Sequence, residues 1–177
     1  MDKRELSMDE VCHILKEHKL WVDTNHQSGA QADFSNCDLR RFDFCYGKRG
    51  ELHKFHSMNF RGTDFSGVSF ERLHFKGCDF TDAVLDAVRV EDVHFEDNDF
   101  RNASMVNAYL IGCEIKHNDF QNTFFGHAKM EDCTFLNNEF HYSHINEVRM
   151  MRGCRFENNY FHTTNPCLAD LSNTEFI

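Results

Sequence analysis

The sequence predicts an all-β chain wound into a four-sided coil, and three periodicities predict it. First, every fifth residue from Phe60 to Met150 is large and apolar, from Phe65, Phe70, Phe75 and Phe80 through Leu85 and Val90 to Phe140 and Ile145. With 41% of the chain hydrophobic, so long a run arises by accident on the order of once in ten million, which makes it an internal repeat. A period of five belongs to neither an α-helix nor a flat strand. Second, the residue two before each centre is usually small or medium, as in Cys78, Ala83, Val88, Val93, Ala103 and Ala108. Residues two apart on an extended segment point the same way, so each pentad offers a short inward pair and three mostly polar outward residues that turn the chain. Third, residues twenty apart are alike. Phe60, Phe80, Phe100, Phe120 and Phe140 form one column, and Phe75, Phe95, Ile115 and Phe135 form another. Four pentads therefore make one coil.

The elements follow in chain order. Ser7 to Glu10 reads as a capping box, with Leu6 and Val11 placed as a hydrophobic staple. Val11, Ile14, Leu15 and His18 share one helical face, which predicts a helix over about Met8 to Leu20. Its apolar face, with Trp21 and Val22 beyond it, is expected to cover the first coil and shield an open strand edge. Residues 1–29 thus form a capping helix and linker, and residues 30–177 the coil domain. Centres run Phe34, Leu39, Phe44 and resume at Phe55, with Gly47-Lys48-Arg49-Gly50 read as a turn or small bulge. After Met150 the next centre is Phe156, one residue late, with Gly153 expected to absorb the extra residue. The centres then continue through Phe161, Leu171 and Phe176, and Pro166 stands where a centre belongs, so that face is expected to be irregular. About seven coils spaced by ~4.8 Å give a rod roughly 35 Å long. The chain stops inside the repeat, so the last coil is expected to bury its end in a two-fold dimer through Leu171, Phe176 and Ile177.

Composition narrows the function. Of the nineteen Phe, all but Phe42 and Phe124 fall on centres, and each buried ring contributes about 2–3 kcal/mol. Cys37, Cys78, Cys113, Cys133 and Cys154 fall on small inward positions and read as packing thiols rather than a disulfide framework. No Cys-x-x-Cys pair occurs, and reduced thiols fit a cytoplasmic location. No signal peptide or membrane-spanning stretch is visible. Asn98, Asn118 and Asn138 stack inward, as amides do in Asn ladders. His74 and His94 share an outward column with Glu114, but two exposed His make a weak metal site, and a surface stack is the expected reading. No phosphate-binding loop or nucleophile elbow is present, and a filled interior leaves no pocket, so neither an enzyme nor a cofactor is expected.

The net charge is −10, and the outward positions show where it lies. Asp79, Asp99, Asp119 and Glu139 form one column. Glu91 and Asp92 lie on columns further round, and Glu96 and Asp97 add to the acidic surface, with Arg89, Lys129 and Arg149 as a counter-stripe. These eight carboxylates are the candidate partner-binding face. Such acidity argues against direct binding of nucleic acid, which needs a basic footprint.

The pentads also carry a resemblance. Ala32-Asp33-Phe34-Ser35-Asn36, Cys37-Asp38-Leu39-Arg40-Arg41, Cys78-Asp79-Phe80-Thr81-Asp82 and Ala169-Asp170-Leu171-Ser172-Asn173 match the pattern of the pentapeptide-repeat family. The resemblance spans about Ala32 to Phe176 and implies a right-handed β-helix of square cross-section. A rod with acidic columns resembles the family's quinolone-resistance members, which bind DNA gyrase or topoisomerase IV and look like duplex DNA. Loops thought important in those relatives are absent here apart from Gly47–Gly50, and the N-terminal helix departs from their plan. The leading expectation is therefore a non-enzymatic, cytoplasmic interaction scaffold that binds a protein through a side face. The alternative is a DNA mimic acting on a type II topoisomerase, and a third is an effector delivered outside the bacterial cell.

Overall fold

The computed structural model describes residues 3–42, 44–45, 53–161 and 173–177. Strand β1 (Arg4–Glu5) precedes helix α1 (Met8–Asp23). The coils then carry β2 (Cys37–Asp38), β3 (Phe44–Cys45), β4 (His53–His56), β5 (Ser69–Glu71), β6 (Leu73–Lys76), β7 (Arg89–Glu91) and β8 (His94–Glu96). They continue with β9 (Tyr109–Ile111), β10 (Glu114–Lys116), β11 (Lys129–Glu131), β12 (Thr134–Leu136), β13 (Met150–Arg152), β14 (Arg155–Glu157) and β15 (Glu175–Phe176). Every strand pairing is parallel.

One wall is a seven-stranded sheet running from β4 through the even-numbered strands to β14 and β15. A second is a six-stranded sheet of β3, β5, β7, β9, β11 and β13. The other two walls are ladders of single bridges, Asn59–Asp79–Asp99–Asp119–Glu139 and Asp64–Val84–Ser104–Phe124. Together they form a four-sided parallel β-helix of about six turns, against the seven expected.

The columns read from the sequence are the core. Phe80 stacks on Phe60, Phe100 on Phe80 and Phe120 on Phe100, with ring centroids 5.0, 4.7 and 4.9 Å apart. Phe75, Phe95, Ile115 and Phe135 are register partners on the neighbouring wall. All these rings are buried. Within a layer, Phe95 meets Phe100 edge-on at 5.4 Å, so stacked and T-shaped contacts alternate along the two directions that aromatic quadrupoles favour.

Each corner is set by the residue two after a centre. Asp82, Ala87, Asp92, Asp97, Asn102 and Asn107 all have φ between 53° and 59°, in the left-handed region. Asn, Asp and Gly tolerate it best, which is why they crowd that position. On two walls the turn is closed by the backbone, as when Ala83 N–H donates to the Phe80 carbonyl at 3.0 Å.

The lid extends the expectation. Ser7 and Glu10 form the capping box, and α1 continues three residues past Leu20, so Trp21 and Val22 belong to the helix. Val11 and His18 are its buried residues. His18 Nδ1 accepts the Ala32 N–H at 3.1 Å, satisfying a donor at the start of the first coil. Burial holds the His18 pKa below the ordinary value, which suits an acceptor imidazole. Gly29 makes the return possible. Its φ is +77°, and a Cβ there would stand 2.3 Å from the Glu17 carbonyl oxygen. The short strand β1, which sequence periodicity did not show, pairs with β2 and covers part of the first coil's edge.

One detail of the frame is corrected. The column after Met130 continues with Met151, not Met150, because Lys129 pairs with Met150 and Met130 with Met151. Met151 is fully buried and Met150 only partly. The additional residue is taken up between Ile145 and Met151, beginning at a 3-10 turn over Ile145–Glu147, and so before Gly153. The turn announces itself where His127 N–H donates to Glu147, twenty residues on instead of the usual nineteen. The Gly47–Gly50 turn, Pro166 and Leu171 lie outside the described residues.

Candidate acidic interaction face

The carboxylates of the first column stand immediately before their centres. That position fixes their local role. Asp79 Oδ1 accepts from Thr81 N–H at 2.8 Å, Asp99 Oδ1 from Arg101 N–H at 3.0 Å, and Asp119 Oδ1 from Gln121 N–H at 2.9 Å. Each side chain mimics a backbone turn, so one oxygen of each is committed to the fold. The other oxygen faces outward.

Cations lie among them. Arg101 Nε sits 2.9 Å from Asp99 Oδ1 and 3.7 Å from Asp119. Arg61 reaches Asp79 at 3.7 Å and Asp82 at 3.4 Å, and His141 Nε2 lies 3.2 Å from Glu139. Desolvation pushes the Asp99 carboxyl up, but the Arg101 hydrogen bonds outweigh it and leave the pKa below the ordinary aspartate value. From Asp79 to Glu139 this wall presents five carboxylates against one guanidinium, Arg101, with Arg61 at its lower end.

The remaining predicted residues lie elsewhere on the square. Glu96 and Asp97 occupy the adjacent wall and its corner. Glu96 accepts from Lys76 Nζ at 2.6 Å and meets His74 Nε2 at 3.1 Å, and the Lys76 contact holds its pKa below the ordinary value. Asp97 lies 3.7 Å from Lys76 and 3.5 Å from His117. Glu91 is on the opposite wall, bonded to Arg89 at 2.9 Å. Asp92 takes the corner beside it, where a Cβ on Gly112 of the next coil would stand 2.8 Å from Asp92 Oδ1. The structure therefore unites Asp79, Asp99, Asp119 and Glu139, places Glu96 and Asp97 next to them, and sets Glu91 and Asp92 apart.

Behind the acidic column runs the Asn ladder, and it reaches further than the twenty-residue spacing showed. Asn118 Oδ1 accepts from Asn98 N–H at 2.9 Å and Asn98 Nδ2 at 3.0 Å, while Asn118 Nδ2 donates to the Phe95 carbonyl at 3.0 Å and to Asn138 Oδ1 at 3.1 Å. Asn159 extends the series, accepting from Asn138 N–H at 2.8 Å. It stands twenty-one residues beyond Asn138 because of the shifted frame, so a strict count of twenty passes over it.

Other candidates resolve simply. His74 and His94 rings lie 5.7 Å apart, and no group of three His, Cys, Asp or Glu among the described residues can hold a metal. Cys37, Cys78, Cys113, Cys133 and Cys154 are buried free thiols, and burial pushes Cys78 up to about 12. Tyr109, unremarked in the sequence, lies between Arg89 and Lys129 at 5.3 and 5.8 Å, a cation–π arrangement.

Residues 53–125 match the family model described as a pentapeptide repeat region. That segment is a pentapeptide-repeat region, and the fold around it is the β-helix expected of such repeats. Among solved structures, a pentapeptide repeat protein (Rfr23) from the cyanobacterium Cyanothece shares 12% identity over 92% of this chain and 99% of that one, with a TM-score of 0.51. Full-length QnrB1, a plasmid-mediated fluoroquinolone resistance protein, shares 20% identity over 76% of this chain and 81% of its own, at a TM-score of 0.46. HetL, a pentapeptide repeat protein involved in heterocyst differentiation regulation in the cyanobacterium Nostoc, shares 12% over 82% and 81%, at 0.28. No curated protein matches in sequence.

Proposed function

We propose that this protein is a non-enzymatic scaffold, capped by residues 1–29, that binds a protein partner through the wall bearing Asp79, Asp99, Asp119 and Glu139. One observation carries this reading. The column leaves an outward carboxylate on each of four successive coils, with few cations to cancel them. A ruler of negative charge on a stiff support suits a basic protein surface and speeds its encounter. Replacing Asp99, Asp119 and Glu139 together by Lys tests it. Partners captured by the unmodified protein from its native host should be lost by the triple variant when both are compared well below the variant's melting transition, which loss of the Asp99 and Asp119 turn hydrogen bonds lowers by several degrees. Capture unchanged by the reversal would refute the reading.

The same column favours a second reading, a mimic of duplex DNA that occupies the basic channel of a type II topoisomerase. Charge density ranks it second. A net charge of −10 over about six turns at ~4.8 Å, a rod of roughly 29 Å, is about one charge per 3 Å, roughly 60% of the density of B-DNA. Inhibition of gyrase supercoiling, or its protection from a quinolone, at micromolar protein would promote this reading. No effect would leave the scaffold.

Self-association through the last coil is the third part of the proposal. Phe176 and Ile177 lie at the end of the seven-stranded sheet and are 44% and 65% exposed. A two-fold dimer would cover both and pair the open edge. Light scattering at micromolar concentration should give twice the monomer mass, and a monomer would contradict it. No described helix is long and apolar enough to cross a membrane.

A further inference from the structure

At the lid end of the rod, a cavity of about 650 Å³ opens between α1 and β4. Its size falls in the ~300–1,000 Å³ range of small-molecule sites. Leu15 and Val22 of the helix, Phe55 of the first coil and Met58 at the start of the second supply an apolar lining. Phe55 and Met58 are buried, whereas Val22 is 45% exposed, so the apolar surface continues outward along the helix.

The charged residues around this cavity are of the wrong sign for the molecule as a whole. Lys16, Lys19 and Lys54 line it, with Asp23 as the one carboxylate among the described lining residues. Lys19 is paired with that Asp23. No ion pair is found for Lys16 or Lys54 among the described residues. On the rod, by contrast, Lys76 and Lys116 bond Glu96 and Glu114. In a chain of net charge −10, two unpaired ammonium groups beside an apolar cavity form a local field of opposite sign. His56 lines the cavity, and its Nε2 is out of contact with water and without a hydrogen-bond partner.

We infer that this cavity binds a small apolar molecule ending in a carboxylate, with its hydrocarbon body on Leu15, Val22, Phe55 and Met58 and its anionic head between Lys16 and Lys54. A neutral amphiphile of equal length would gain the apolar contact alone, and a cationic one would meet two like charges. Burial depresses the His18 and His56 pKa values, which favours the neutral imidazoles beside an apolar body. This site lies at the lid end, and its existence does not depend on the acidic wall or its partner.

The chain supplies its own reporter. Trp21 is the single tryptophan, and its ring stacks on His18, a lining residue, at 5.6 Å. Titration of the full-length protein with dodecanoate should change Trp21 fluorescence saturably, and calorimetry should give one molecule per chain. Dodecanol and dodecylamine should each bind at least tenfold more weakly. Lys16→Glu with Lys54→Glu should weaken dodecanoate at least tenfold at an unchanged melting temperature, and Lys16→Arg with Lys54→Arg should restore it. No saturable binding of dodecanoate, equal binding of dodecylamine, or indifference to the double charge reversal would each overturn the inference. So would saturation by an acidic apolar peptide with none by dodecanoate.

Discussion

Asn118 and Asp119 are neighbours in the chain, yet their columns climb opposite sides of the same wall and solve opposite problems. The inward amides are neutral and carry both donors and acceptors, so each bonds the next one up and the ladder is continuous. Carboxylates only accept. Stacked one coil apart they repel, and none could take its neighbour's place inside. Each outward Asp instead turns one oxygen to its own backbone and shares the nearest guanidinium. The same spacing thus gives a continuous hydrogen-bonded ladder on one side and, on the other, a line of carboxylates that bond their own turns and scattered cations instead of one another.

Four measurements break or sharpen this contrast. The largest effect is expected from Phe100→Asp, which buries an unpaired charge in the aromatic column and should abolish the cooperative thermal transition at pH 7. Arg101→Asp, one residue away and outward, should melt close to the parent. Equal losses for the two variants would contradict the inward and outward assignment.

Asn118→Asp comes next, at about 3–5 kcal/mol of lost stability in urea, because the ladder loses donors and gains a buried charge. Its pH dependence is the diagnostic. The folded pKa of that carboxyl would be raised, so the variant should regain stability as pH falls from 7 toward 4 and lose it as pH rises. A variant indifferent to pH would mean the site is wetter than the ladder requires.

Asp119→Ala should cost less, about 0.5–1.5 kcal/mol, since it removes one turn hydrogen bond to Gln121 at the surface. The smallest effect is an acid titration. Hydrogen bonds from Arg40 hold Asp38 at about 2, below its ordinary 3.8. A depressed carboxylate stabilises the fold above the unfolded value and loses that contribution as pH falls toward 2. The difference in melting temperature between the parent and Asp38→Asn should therefore be present at pH 5 and shrink steadily below pH 4. A constant difference would place the ion pair outside the folded state's energetics.

Much of this was legible in advance. Phe80, Phe100 and Phe120 announced their stack because a residue's place on the square depends only on its number modulo twenty. The capping box at Ser7 and Glu10 was equally plain, being local. Asn159 and Met151 were misplaced or passed over for one reason. A single additional residue after Ile145 shifts everything beyond it, and the sequence shows that a slip occurs without showing at which corner the backbone absorbs it. Strand β1 was invisible because two residues carry no period. The lid cavity was invisible too. Its lining comes from residues 15–23 and 53–58, and no periodicity links a helix face to a strand edge.

The sequence by itself determined the wall count, the aromatic columns and the sign of the surface, since a repeat makes each residue's surroundings a consequence of near-identical neighbours above and below. Only the tertiary structure decided how far the amide ladder runs past the frame shift, and that Lys16 and Lys54 line one apolar cavity. The ladder's end depends on where the backbone absorbs the extra residue, and the cavity joins a helix to a coil with no common repeat, so packing of one surface on another, not spacing along the chain, sets it.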